Sequence, residues 1–93
     1  MPFELRFKRL ALDEWQRLDG SVRAQFKKEL AERLQHPRMP SAKLSGHADR
    51  YKIKLRALGY RLVYEVRDTE LVVVVIAVGK RDGNAVYAVA AGR

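Results

Sequence analysis

The chain has 93 residues, 47% of them apolar and 32% charged, with 19 Lys and Arg against 11 Asp and Glu, a net charge of +8 and no Cys. A folded chain of this size hides only roughly 60% or somewhat more of its unfolded surface, which leaves room for one core and excludes a domain built around a buried cofactor. Residues 1–93 are therefore expected to form a single domain, without a disulfide frame, a thiolate metal site or a thiol nucleophile.

The positive charge points to a polyanionic partner, with nucleic acid the first candidate. No membrane role is expected. The longest uncharged apolar run, Leu71–Val78, has eight residues, against the ~20 a membrane helix needs. The N-terminus shows no signal-peptide pattern, so a cytoplasmic protein is expected.

Phe3, Leu5 and Phe7 alternate with Glu4, Arg6 and Lys8, the two-residue period of an edge strand with one buried face. From Lys8 to Leu18, Ala11, Trp15 and Leu18 mark one face of a helix that Asp19-Gly20 is expected to stop. Val22, Phe26, Leu30 and Leu34 recur every four residues along a second helix, which Pro37 ends. The two helices predict an antiparallel hairpin with Trp15 as its core anchor. Residues 35–49, rich in Pro, Ser and Gly, read as a loop. Three strands are then expected over Tyr51–Arg56, Tyr60–Arg67 and Leu71–Val78, the last apolar throughout as suits a central strand. Asp82 is expected to cap a short terminal helix carrying Val86, Tyr87, Val89 and Ala90. The order defines an α+β domain with a mainly antiparallel sheet and the helices against one face.

The charge is localised. Between Lys43 and Arg61, the six cations Lys43, Arg50, Lys52, Lys54, Arg56 and Arg61 face Asp49 alone. Strand alternation turns Tyr51, Ile53 and Leu55 inward and Lys52, Lys54 and Arg56 outward. In the next strand Tyr60, Leu62, Tyr64 and Val66 point inward, and Arg61, Val63, Glu65 and Arg67 outward. A tight hairpin pairing Leu55 with Tyr60 sets Lys54 opposite Arg61 and Lys52 opposite Val63. Two cations facing each other across strands are mildly destabilising, which makes sense if an anion lies between them; a merely solvated basic face is the plainer alternative. Lys80 and Arg81 are placed to reach the same face from the end of the last strand. Val86 is the better inward residue, which leaves Tyr87 at the rim of the sheet.

Hydrolytic machinery of the familiar kinds is missing. His36 and His47 lie in the loop, and the acids are scattered rather than set at metal-ligand spacing, so no metal site is expected and a two-metal nuclease is disfavoured. Gly79-Lys80-Arg81 lacks the longer Gly-rich run of a phosphate loop. Lys, Arg and Tyr alone suffice for attack of an RNA 2′-hydroxyl on the adjacent phosphate, because the substrate brings its own nucleophile. A tyrosine is a weak base near neutrality, and neighbouring cations favour its phenolate; Tyr87 is the candidate base. So small a chain has little with which to hold a flexible strand in line, so weak cleavage of free RNA is expected.

Lys43-Leu44-Ser45-Gly46, Tyr51-Lys52-Ile53-Lys54-Leu55-Arg56, Gly59-Tyr60-Arg61-Leu62-Val63-Tyr64 and Val78-Gly79-Lys80-Arg81, with Tyr87 beyond, closely resemble the RelE toxins of prokaryotic toxin–antitoxin systems. The resemblance covers nearly the whole chain. It implies the RelE-like, microbial RNase-like fold: a four-stranded sheet, an N-terminal two-helix hairpin and a short C-terminal helix. It implies a metal-independent, ribosome-dependent mRNA endonuclease that cuts the codon in the A site and leaves 2′,3′-cyclic phosphate and 5′-hydroxyl ends. By position, the catalytic residues fall on Lys52, Lys54, Arg61, Arg81 and Tyr87, and further RNA or ribosome contacts on Lys43, Arg50, Arg56 and Lys80. The implied partners are a RelB-like antitoxin able to displace the terminal helix, the ribosomal A site with its mRNA and rRNA, and operator DNA only indirectly through the antitoxin complex. No cofactor is implied.

Three features depart from the pattern. Ser45 stands where relatives can carry a basic residue, Glu65 lies on the same strand face as Arg61, where it is expected to pair with it, and Ala91-Gly92-Arg93 is a weak helix finish that predicts a loosely held last turn. The alternatives are a ParE-like inhibitor of DNA gyrase that shares the fold but cuts nothing, and a plain RNA-binding module. The first has no chemical reason to gather Lys52, Lys54, Arg61, Arg81 and Tyr87; the second wants exposed stacking aromatics, and most of the eight here read as core.

Overall fold

The computed structural model describes residues 2–93. In chain order its elements are β1 (Glu4–Phe7), α1 (Arg9–Gln16), α2 (Gly20–Gln35), a 3₁₀ turn at Pro40–Ala42, β2 (Arg50–Leu55), β3 (Tyr60–Arg67), β4 (Val72–Lys80) and α3 (Ala85–Ala91). The strands form one sheet in the order β1-β4-β3-β2. β4 is central and apolar, as its unbroken run of Val, Ile and Ala requires of a strand covered on both faces. Its pairing with β3 is antiparallel and that with β1 parallel, so the sheet is mixed while remaining mainly antiparallel.

The α1–α2 hairpin covers one face. Ala11, Trp15, Leu18, Val22, Phe26 and Leu30 meet Ile53, Leu62, Tyr64, Val66, Val73 and Val75. Trp15 is the anchor the sequence leads one to expect, with its ring centroid 5.2 Å from that of Phe7 and 6.2 Å from that of Phe26. Asp19-Gly20 does more than stop α1: Asp19 is the N-cap residue of α2, and Gly20 opens it.

The opposite face is not open along its whole length. Leu44, Val63, Val72, Val74, Ile76 and Ala77 form a second, smaller core under Val86 and Ala90 of α3. A bulge makes this possible. Val63 pairs with Ala77 but Tyr64 pairs with Val75, so Ile76 is an extra residue in β4 and both Ile76 and Ala77 turn toward α3. Val63, expected to point outward, does so and is fully buried there.

Two terminal expectations are corrected. The N-cap of α3 is Asn84, not Asp82, whose carbonyl instead accepts the Ala85 N–H at 3.0 Å. The last turn is pinned rather than loose. The Arg93 guanidinium grips both carboxylate oxygens of Glu14, at 2.8 and 3.1 Å, and donates to the Ile76 carbonyl at 3.0 Å. No helix among the described residues is long and apolar enough to cross a membrane.

Candidate functional site

The β2–β3 ladder has the register its alternation predicts, with Leu55 opposite Tyr60, Lys54 opposite Arg61 and Lys52 opposite Val63. The turn between them depends on Gly59, whose φ of +74° suits a residue without Cβ. Its N–H donates to the Leu55 carbonyl at 2.8 Å, and its own carbonyl accepts the Arg81 N–H at 2.7 Å. One glycine thus joins the tip of the basic hairpin to the end of β4 and sets Arg81 beside it.

Arg61 is only 8% exposed. Its Nη1 donates to the Tyr60 carbonyl at 2.9 Å, and its partner across the ladder is Gly79, which puts no side chain in its way. On α3, Val86 and Ala90 bury against the sheet, and the helical step of ~100° from Val86 leaves the neighbouring Tyr87 at the flank of the helix, half-buried. Lys52 Nζ lies 5.9 Å from the centroid of the Tyr87 ring, within cation–π range.

These placements close a hollow of about 330 Å³ lined by Lys54, Arg61, Arg81, Gly83, Asn84 and Tyr87. Gly83, at φ +57°, makes the turn that brings α3 back over it. Among the described residues, the Tyr87 hydroxyl is the one buried side-chain polar atom without a hydrogen-bond partner. Lys54 carries the electrostatic signature of the hollow. Its ammonium is held below the usual lysine range first by Lys52, then by desolvation and by Arg56, Arg61 and Arg81.

Lys52, Lys54, Arg61, Arg81 and Tyr87 are therefore brought together. The outlying cations behave differently. Arg56 and Lys80 are exposed, and the Lys43 ammonium is bonded to the His47 carbonyl. Arg50 is turned inward: its Nε meets Glu65 at 3.1 Å and its Nη1 donates to the Ala90 carbonyl at 2.6 Å, with 12% of the side chain exposed. Glu65 does not pair with Arg61. It bridges Arg50 and Arg67, the latter at 2.9 Å. No group of His, Asp and Glu among the described residues is arranged to hold a metal ion. Sequence reasoning missed Asn84 and Gly83, whose positions depend on the turn after Arg81, and the part Gly59 takes in seating Arg81.

A sheet with a helix hairpin on one face and a cation-and-tyrosine hollow on the other defines a small basic α+β domain. Residues 5–85 match the family described as the ParE toxin of type II toxin–antitoxin systems, parDE. The chain is 52% identical over 93 residues to the mRNA interferase toxin RelE of Escherichia coli strain K12, covering 100% of this chain and 98% of that protein. A double mutant of E. coli RelE in the free state superposes with a TM-score of 0.91 at 50% identity, over 100% of this chain and 98% of that one. RelE in the intact E. coli RelBE toxin–antitoxin complex gives 0.83 at 52% identity, over 86% of this chain and 98% of that one. The chain belongs to the RelE family of the RelE/ParE toxins of type II toxin–antitoxin systems.

Proposed function

We propose that this protein is an mRNA interferase that cuts mRNA in the ribosomal A site and is neutralised by a RelB-like antitoxin. The observation that carries the reading is the convergence of Lys54, Arg61, Arg81 and Tyr87 on one hollow, with Lys52 beside the Tyr87 ring. The relationship to RelE proteins named mRNA interferases, and to RelE seen in complex with RelB, supports substrate and partner class.

The chemistry requires an RNA phosphodiester seated between Lys54, Arg61 and Arg81. The Tyr87 oxygen takes the proton of the 2′-hydroxyl, with the Lys52 ammonium 5.9 Å from the centroid of its ring. The 2′-oxygen then bonds to phosphorus, the bond from phosphorus to the 5′-oxygen breaks, and a 2′,3′-cyclic phosphate and a 5′-hydroxyl result. Arg61 and Arg81 neutralise the charge that grows on the phosphoryl oxygens. Lys54, whose proton its neighbours loosen, supplies one to the leaving oxygen. No metal enters these steps. In this reading the ribosome helps to align the strand, and mRNA and rRNA complete the binding surface.

The family description also names ParE, and gyrase inhibition is the second reading. A surface that grips a protein gains nothing from an unpartnered tyrosine hydroxyl among cations. Tyr87→Phe separates the two: cleavage of ribosome-bound mRNA in single turnover should fall by about 10²–10⁴, the usual share of acid–base catalysis, with ribosome affinity kept. Equal rates for the two proteins would remove Tyr87 from the chemistry.

A further inference from the structure

Lys54 serves two hollows. Beyond the Tyr87 site, a second one of about 240 Å³ is lined by Arg33, Ser41, Ala42, Lys52, Lys54 and Arg56. Its charged lining is wholly cationic, and none of these cations forms an ion pair with a described residue. It lies at the outer edge of β2, the last strand of the sheet.

Arg33 reaches that edge from α2, on the far side of the sheet. Its Nη1 donates to the Lys52 carbonyl at 3.1 Å and to the Tyr64 hydroxyl at 2.9 Å, and its guanidinium carbon lies 5.7 Å from the centroid of the Tyr64 ring. Both bonds use one nitrogen. A guanidinium carries five N–H donors in a rigid fork, so Arg33 is held in place with most of its donors still to give. Ser41, exposed on the 3₁₀ turn, adds a hydroxyl at the rim. The crowding of cations that depresses Lys54 is relieved by an anion on either side of it.

We infer that this hollow binds a second phosphate of the same RNA strand, with Arg33 and Ser41 as its distinguishing ligands. The inference rests on the RNA reading of the Tyr87 site and extends it. Lys52 and Lys54, two residues apart on a strand, stand about 7 Å from each other, comparable to the step between successive phosphates of an extended strand. One phosphate lies between Lys54 and the Tyr87 site, the next between Lys54 and Arg33. The strand therefore leaves the reacting centre across β2 toward α2, and Arg33 fixes its direction.

The test uses fluorescence anisotropy of labelled hexathymidylate, which has no 2′-hydroxyl and stays uncut, titrated with the protein at several salt concentrations. Arg33→Gln should weaken binding on the order of threefold to tenfold, as loss of a charge-assisted contact does, with the salt slope falling by about 0.7 for the phosphate lost, and Ser41→Glu, which sets a carboxylate at the rim, should weaken binding to a similar extent. Ser41→Glu guards against a folding defect in Arg33→Gln, because Ser41 is exposed and outside the α2–β2 bonds. Unchanged affinity and slope in both variants would overturn the site. Loss of ribosome affinity with unchanged oligonucleotide affinity would assign the hollow to rRNA and overturn it equally. Parallel assays of ribosome-bound mRNA separate this outcome from the catalytic reading. Altered oligonucleotide binding without cleavage by the parent protein would leave the phosphate site standing and the nuclease reading fallen; cleavage by the parent with indifferent variants would do the reverse.

Discussion

The Arg50 guanidinium donates to the Ala90 carbonyl at 2.6 Å, which ties the edge strand β2 to the last turn of α3. The same carbonyl accepts the Arg93 N–H at 3.0 Å, and the guanidinium adds a cation at the negative end of the helix. Tyr87 lies one turn away, so the bond that fastens α3 also seats the proposed base. A residue read from the sequence as an RNA contact is thereby engaged by the fold.

Glu65 keeps Arg50 in that position. Burial pushes its carboxyl up, but the hydrogen bonds from Arg67 and Arg50 outweigh it and hold Glu65 below its ordinary value of 4.5. A depressed carboxylate contributes stability that is present above its unfolded value and lost as pH falls through its folded one. Glu65→Gln should cost about 1–3 kcal/mol at neutral pH. As pH falls through that lowered folded value the parent should lose the advantage and the two melting curves converge. Thermal denaturation from pH 7 to pH 3 checks this; parallel curves throughout would show that Glu65 has no such role.

Arg93 makes the second fastening. Its grip on Glu14 is bidentate and only 17% of its side chain is exposed, the geometry in which an ion pair contributes to stability. Arg93→Ala should speed amide exchange in α3 by about tenfold or more, equivalent to about 1.4 kcal/mol, with α2 unchanged. Exchange in α3 as slow as in the parent would mean that the small core under Val86 and Ala90 holds the helix alone.

Lys54 is placed for function against stability. Its repulsion from Lys52, Arg56, Arg61 and Arg81 is felt while all are protonated, and it eases as pH rises through the lowered folded value of Lys54. Lys54→Ala should raise the melting temperature at low salt and neutral pH. The gain should shrink in 1 M salt, where the screening length is about 3 Å, and on the alkaline side. Cleavage of ribosome-bound mRNA should fall by orders of magnitude in the same variant. A variant both less stable and fully active would contradict both roles.

The sheet and its hairpin register were legible because strand alternation at Tyr51–Leu55 and Tyr60–Val66 admits one way of burying the apolar set. The helix hairpin followed from the spacing of Val22, Phe26 and Leu30. The convergence of Lys54, Arg61 and Arg81 was legible in part: the register gives the first pair, but Arg81 is seated by the Gly59 carbonyl, a backbone bond no side-chain pattern announces. The second core was hidden because the bulge at Ile76 changes which β4 residues meet α3. Arg33 falls outside the Val22, Phe26, Leu30 and Leu34 stripe of α2, and nothing in a helical repeat tells that a long side chain will cross the edge of a sheet. The Arg50–Glu65 and Glu14–Arg93 pairs escaped for the same reason: their members are 15 and 79 positions apart in the chain.

The most direct test is incubation with ribosomes programmed to hold an empty A site, beside the same mRNA free in solution, with the cut sites and end groups mapped. Cuts confined to the A-site codon, ending in cyclic phosphate and 5′-hydroxyl, with little cleavage of the free mRNA, are the expected result. Intact ribosome-bound mRNA in the presence of folded protein would contradict it and turn attention to gyrase.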